Sequence, residues 1–142
     1  MRLQTTNRLL ISFIFHLIIS TGYFLRLLAS LLPPDNSYEA RIYDGDQCTC
    51  HVGVSVSDDD VDSAFTLMRL PASVYAAFEV YVASGYDSEN DAMDEWLEAN
   101  KEKYSQRRIN GLPYVVEYYD ERFDGNSEDS IVEIWIPIEC AI

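Results

Sequence analysis

From Tyr38 to the C-terminus the chain breaks into short runs in which apolar residues recur at every second position, and this period of two confines it to a β-rich fold. Five segments carry the pattern: 38 to 43 (YEARIY), 50 to 57 (CHVGVSVS), 74 to 81 (VYAAFEVY), 114 to 120 (YVVEYYD) and 131 to 138 (IVEIWIPI). Between the third and fourth, Ala92, Met93, Trp96 and Leu97 recur at helical spacing. With Ser88 as a candidate N-cap and acidic residues in the first turn, this stretch predicts a helix of about three to four turns. A chain of 142 residues accommodates one domain with a real core and is short for two.

Sorting the strands by period two gives each an aliphatic face. Val132, Ile134, Ile136 and Ile138 oppose Ile131, Glu133, Trp135 and Pro137. Val52, Val54 and Val56 oppose His51, Gly53, Ser55 and Ser57. Val74, Ala76, Phe78 and Val80 oppose Tyr75, Ala77, Glu79 and Tyr81. The second face therefore collects tyrosine, tryptophan and carboxylates around small residues that would leave a hollow. Strand 114 to 120 fits either way by pattern, because Tyr114, Val116 and Tyr118 oppose Val115, Glu117 and Tyr119. An unpaired carboxylate against an aliphatic core would cost several kcal/mol, so Glu117 is assigned, with Tyr119, to the aromatic face. Such a face suits a lipophilic organic cation, through apolar area, cation–π attraction and a poorly screened carboxylate. It equally fits the wet side of an antiparallel sheet, where tyrosine and tryptophan are common and glutamate is solubilising.

Residues 9 to 25 (LLISFIFHLIISTGYFL) contain no charge and follow Arg2 and Arg8, the outline of a signal peptide or membrane anchor. His16 in the middle, Arg26 directly after and the lack of a small-x-small cleavage site speak for the other reading, a buried amphipathic helix over roughly 7 to 32, ended by Pro33-Pro34. The two stand level. All 24 acidic residues lie at or beyond Asp35, against seven basic residues in the same stretch. So acidic a body repels phosphate backbones and offers no basic stripe, which excludes direct nucleic-acid binding and favours cationic partners. Cys48, Cys50 and Cys140 are too few and irregular for a disulfide framework, pointing to a reducing, cytoplasmic setting unless 9 to 25 anchors the chain to a membrane. Cys48-Thr49-Cys50-His51 lacks a second cluster to complete a metal site, and no motif calls for a cofactor.

LPASVYAAFEV (70 to 80), a helix containing Trp96-Leu97, and YVVEYYDERFDGNSEDSIVEIWIPIE (114 to 139) resemble the AraC-type effector-binding, or GyrI-like, domain. YDGDQCTCHVGVSVSDDD before them resembles the corresponding segment of the integron cassette-associated effector-binding proteins. The likeness runs from about Tyr38 to Glu139. It implies an α+β fold in which two βαββ repeats form an antiparallel sheet, with two helices on one face and a ligand cleft on the other. It also implies binding of hydrophobic, often cationic, small molecules, with the central acidic residue at Glu117. Cleft aromatics would fall at Tyr75 and Trp135, more loosely at Tyr119 and Tyr43, and Glu79 and Glu133 complete the expected set. Residues 1 to 32 depart from the family: they lack a convincing first strand, and a missing edge strand would leave its neighbour open to a second copy, giving a homodimer. Residues 33 to 142 are thus expected to form the binding domain.

Three functions follow. The first is a ligand-binding module without catalysis. The second is a small hydrolase in which Glu117 or Glu133 acts as general base. The third is an acidic module docking on a basic protein such as a topoisomerase, for which Asp58-Asp59-Asp60 and DSENDAMDE are the features. The first is the reading adopted.

Overall fold

The computed structural model describes residues 2–6, 9–18, 37–55, 66–125 and 127–141. In chain order the elements are β1 (Arg2–Thr6), β2 (Leu9–Ile18), β3 (Ser37–Asp44), β4 (Gln47–Ser55), β5 (Thr66–Leu70) and β6 (Ser73–Tyr81). After a 3-10 turn at Val82–Ser84 come α1 (Asp87–Ala99), β7 (Tyr104–Gln106), β8 (Arg108–Ile109), β9 (Leu112–Tyr119) and β10 (Ile131–Cys140). All five strands expected from period two are present, with ends shifted by a few residues.

The main path through the sheet runs β1-β6-β10-β9-β3-β4-β2-β5, and every pairing is antiparallel. This order is a palindrome. Exchanging β1 with β5, β6 with β2, β10 with β4 and β9 with β3 returns the same sheet, so a pseudo-twofold axis passes between β9 and β3. The registers obey it: Arg2 opposite Ala77 through Thr6 opposite Ser73 at one edge is matched by Thr66 opposite Phe13 through Leu70 opposite Leu9 at the other. Each repeat is therefore two strands, a connecting segment and two strands, and each lends its leading strand to the other half. In the second repeat the connecting segment carries α1; its counterpart in the first, residues 19–36, lies outside the described residues, as does the greater part of the helix expected over 7 to 32.

Two expectations about the N-terminus are corrected. Leu9–Ile18 is a strand rather than part of a helix. A continuous apolar run rich in isoleucine and phenylalanine satisfies an inner strand, here held between β4 and β5, as well as it does a buried helix, so periodicity does not separate the two. The first strand is also present: Arg2–Thr6 pairs with β6, and RLQTT gives little hydrophobic signal because an edge strand needs little. Among the described residues no helix is long and apolar enough to cross a membrane.

Only Pro71 and Ala72 separate β5 from β6, although these strands lie in opposite halves of the path, so the sheet must bend round until its ends approach. The inside of the bend is one core: Leu70 and Met68 of β5 join Tyr75 and Ala77 of β6, Trp135, Tyr114, Val116, Tyr38 and Ala40. On the outer face, α1 sets Met93, Trp96 and Leu97 against Phe78, Val80, Ile134, Ile136 and Ile138, as the helical spacing predicts. The helix starts before Ser88: Tyr86 holds the N-cap position without a side-chain hydrogen bond. It stops where Asn100 turns its side-chain amide back to the Trp96 carbonyl at 2.8 Å.

Two tight hairpins fix the registers that matter below. Gly45, at φ +59°, takes the first central position of the β3–β4 turn, a conformation that favours glycine. Asn110 and Gly111, at φ 51° and 78°, close the β8–β9 turn. That Asn-Gly pair is the common solution for a two-residue hairpin.

Candidate functional site

Glu117 lies on β9 directly opposite Glu39 of β3 on one side and Ile134 of β10 on the other. Residues directly opposite in an antiparallel pair share a face. Glu117 is therefore on the outer, aliphatic face with α1, not on the face of Tyr75 and Trp135 as the sequence predicts. Tyr119 and Tyr43 accompany it, whereas Tyr75, Glu79, Glu133 and Trp135 lie on the inner face. The sheet divides the expected set in two.

The assignment fails for a specific physical reason. An unpaired carboxylate there would indeed be costly, but Glu117 is paired. Arg41 Nη2 reaches Glu117 Oε1 at 2.8 Å, Arg41 Nε reaches Glu39 Oε1 at 2.5 Å, and the Tyr119 hydroxyl donates to Glu117 Oε2 at 2.5 Å. Glu39 and Glu117 are each 1% exposed. The pseudo-twofold axis runs between them, so one guanidinium serves two symmetry-related carboxylates.

Among the described residues such a cluster is one positive charge short. Burial first, then the charge of Glu117, pushes the Glu39 carboxyl up to about 7 against the opposing pull of Arg41. Burial works against the Arg41 charge, but Glu117 and Glu39 more than offset it and hold the guanidinium above its ordinary value. The Tyr119 phenol, buried and beside Glu117, is raised well above its usual range, so it acts as a hydrogen-bond donor. Tyr43 is also raised, mainly by burial, with Arg41 opposing. Arg41, Tyr43 and Cys48 are half-buried and link the cluster to solvent, while Cys50 beside them is buried.

The inner-face carboxylates have protein partners. Glu79 and Glu133 are directly opposite on β6 and β10, and Arg122 bridges them at 2.9 and 2.6 Å while also holding Asp120 at 2.7 Å. The Trp135 indole N–H donates to Glu133 Oε2 at 2.7 Å. Around it, Tyr118, Tyr75 and Tyr38 approach the Trp135 ring to centroid distances of 4.8, 5.8 and 6.0 Å. These rings form an aromatic cluster with an ion-pair clamp beside it. Among the described residues no group of three or more His, Cys, Asp or Glu is placed to hold a metal ion.

Glu39 and Arg41 were not among the candidates, yet YEARIY carries their signal. Tyr38, Ala40 and Ile42 alternate with Glu39, Arg41 and Tyr43, so a period-two sort already puts an acid, a base and a phenol on one face. What the sequence does not supply is the β3–β9 register that sets Glu39 against Glu117.

The model of the family described as integron-associated effector binding protein matches residues 33–138. Among solved structures, SAV2435 bound to tetraphenylphosphonium is similar with a TM-score of 0.68 and 18% identity, over 97% of this chain and 93% of that one. A putative transcription regulation protein from Staphylococcus aureus MU50 gives 0.66 and 16%, covering 97% of both chains. The EcmrR C-terminal domain gives 0.61 and 16%, over 99% of this chain and 97% of that one. No curated protein matches the chain. At these identities the structures establish a shared fold.

Proposed function

The chain belongs to the integron-associated effector-binding protein family, and from that premise we propose that it binds lipophilic organic cations at the Glu39–Glu117 pair. The observation that carries this is the charge count of the cluster among the described residues: two buried carboxylates meet across the pseudo-twofold axis and share one arginine. Without a ligand, the missing positive charge is supplied by a proton on Glu39, whose carboxyl is raised to about 7. An organic cation entering beside Arg41 replaces that proton. Glu117 provides the fixed charge, oriented by Tyr119, and Tyr119 and Tyr43 offer ring faces, each worth about 0.5 to 2 kcal/mol to a desolvated cation.

On this reading Tyr75, Trp135, Glu79 and Glu133 act from behind the sheet, holding β6, β9 and β10 in register, and do not touch the ligand. The cation bound to SAV2435 belongs to that protein, but it indicates the ligand class to try first. Tetraphenylphosphonium and the neutral triphenylphosphine oxide present similar aryl surface with and without charge. The test is to titrate both into the protein while following tyrosine and tryptophan fluorescence. Saturable binding of the cation with at least about tenfold preference over the neutral compound is expected, because losing one poorly screened charge contact costs about 1.4 kcal/mol or more. Equal affinity for the two would remove charge recognition from the proposal.

A further inference from the structure

β4 carries two thiols on the face that holds Arg41, Glu39 and Glu117. Cys50 is directly opposite Arg41 and Cys48 directly opposite Tyr43, and the two sulfurs lie 3.7 Å apart. The fold does not demand sulfur there. In the other repeat the place beside Tyr119 that matches Cys50 beside Arg41 is taken by Val132, which packs with Tyr119 in an ordinary apolar cluster.

The two thiols differ in character. Cys48 is half-buried and Cys50 buried. The hydrogen bond from Cys50 draws the Cys48 thiol down to about 7 against burial, and Arg41 adds to the pull. The same contact with Cys48, then burial and the charge of Glu39, hold Cys50 far up as a thiol. One sulfur is thus a reachable thiolate and the other a protonated neighbour within reach. Positions two apart on an extended strand have Cα atoms about 6.6 to 6.8 Å apart, at the upper end of what a disulfide spans. A bond between them strains the strand and is easily reduced, as befits a reversible site rather than a structural staple.

We propose that Cys48 and Cys50 form a reversible dithiol–disulfide site, closed by hydroperoxides and reopened by small thiols, which sets how readily the cluster at Glu39 accepts a cation. The second part rests on the cation-binding reading above. In the first step the Cys48 thiolate attacks one peroxide oxygen and the O–O bond breaks. Cys48 becomes a sulfenic acid, and with hydrogen peroxide the departing hydroxide takes up a proton to leave as water. Cys50 then releases its proton and attacks the Cys48 sulfur. The S–O bond breaks, the oxygen leaves as a second water, and two electrons have passed from the sulfurs to the peroxide. Closure also removes the Cys50 S–H, which is shared between the Cys48 sulfur and Glu39 and is the smallest of the influences that help Glu39 to ionise. Glu39 then keeps its proton more firmly and yields it less readily to a cation.

The test uses the full chain with Cys140→Ser, which removes the exposed third thiol. After stoichiometric hydrogen peroxide and alkylation under denaturing conditions, intact mass should show the loss of two hydrogens with neither cysteine alkylated, reversed by dithiothreitol. Adding Cys50→Ser should divert Cys48 to a dimedone-trapped sulfenic acid, and adding Cys48→Ser should slow the peroxide reaction by about tenfold or more. Two alkylatable cysteines after peroxide, or Cys48 carried on to sulfinic acid with Cys50 still free, would overturn the site. Tetraphenylphosphonium should bind about three- to tenfold more weakly to the closed form. A closed pair with unchanged affinity would overturn the coupling to Glu39. Failure of the reduced protein to bind the cation at all would instead count against the proposed function, since the mass readout needs no ligand.

Discussion

Replacing Glu39 with glutamine makes the free protein more stable at alkaline pH, although it removes one partner of a buried ion pair. The direction follows from linkage. The Glu39 carboxyl stands at about 7 in the folded chain against an ordinary 4.5, chiefly because it is buried and faces Glu117. A raised carboxylate binds its proton more tightly when folded, so its contribution is fully present below pH 4.5 and is lost as pH rises toward 7. At about 1.4 kcal/mol per pH unit across that window, ionising Glu39 costs the native state roughly 3 kcal/mol by about pH 8. The glutamine stays neutral and its side-chain oxygen still accepts from Arg41, leaving one guanidinium to one carboxylate. Urea denaturation of both proteins from about pH 4.5 to about pH 8.5 measures the difference directly, with other titrating groups cancelling. The two should be nearly equal at the acid end and diverge to about 3 kcal/mol in favour of Glu39→Gln at the alkaline end. A difference that does not change with pH, or one that turns against the variant as pH rises, would mean that Arg41 outweighs burial and Glu117, and no positive charge would be missing from the cluster.

The same linkage appears in binding: calorimetry of tetraphenylphosphonium in two buffers of different ionisation enthalpy should show close to one proton released per cation at about pH 6 and close to none at about pH 8.5. Arg41→Met leaves Glu39 and Glu117 buried without their cation and should cost about 3 to 5 kcal/mol at about pH 8, with part of the loss recovered near about pH 5 as Glu39 protonates; denaturation at the two pH values checks it. Arg122→Ala leaves Glu133 buried opposite Glu79 and should cost roughly 2 to 3 kcal/mol, yet leave cation affinity unchanged, because that clamp lies across the sheet from the site.

Much of the sheet is legible because β3, β4, β6 and β10 alternate apolar and polar positions, and the α1 stripe of Met93, Trp96 and Leu97 has nowhere else to go. Two features were not legible, for different reasons. Leu9–Ile18 is apolar at almost every position, so no period distinguishes helix from strand, and only its place between β4 and β5 decides. β9 carries polar groups on both faces, so its orientation rested on the cost of burying Glu117 unpaired. The energetic rule was sound, but its premise depended on Arg41, a residue of another strand whose register no local pattern gives. The strand pattern and the family likeness both single out Glu117, whereas its symmetry mate Glu39, which alternates visibly with Tyr38 and Ala40, is reached only through the β3–β9 register. A pseudo-twofold fold places equivalent residues together at its axis, so an acidic residue on one central strand calls for a look at the matching position on the other.

The measurement that bears most directly on the cluster as a cation site is the affinity of tetraphenylphosphonium for the unaltered chain and for Glu117→Gln at about pH 8, each shown to be folded by its circular dichroism and melting curve. With the fixed charge gone, Arg41 balances Glu39 and no positive charge is missing. Affinity should fall by at least about tenfold, equivalent to about 1.4 kcal/mol. A folded Glu117→Gln protein that binds the cation as tightly as the original would contradict the account.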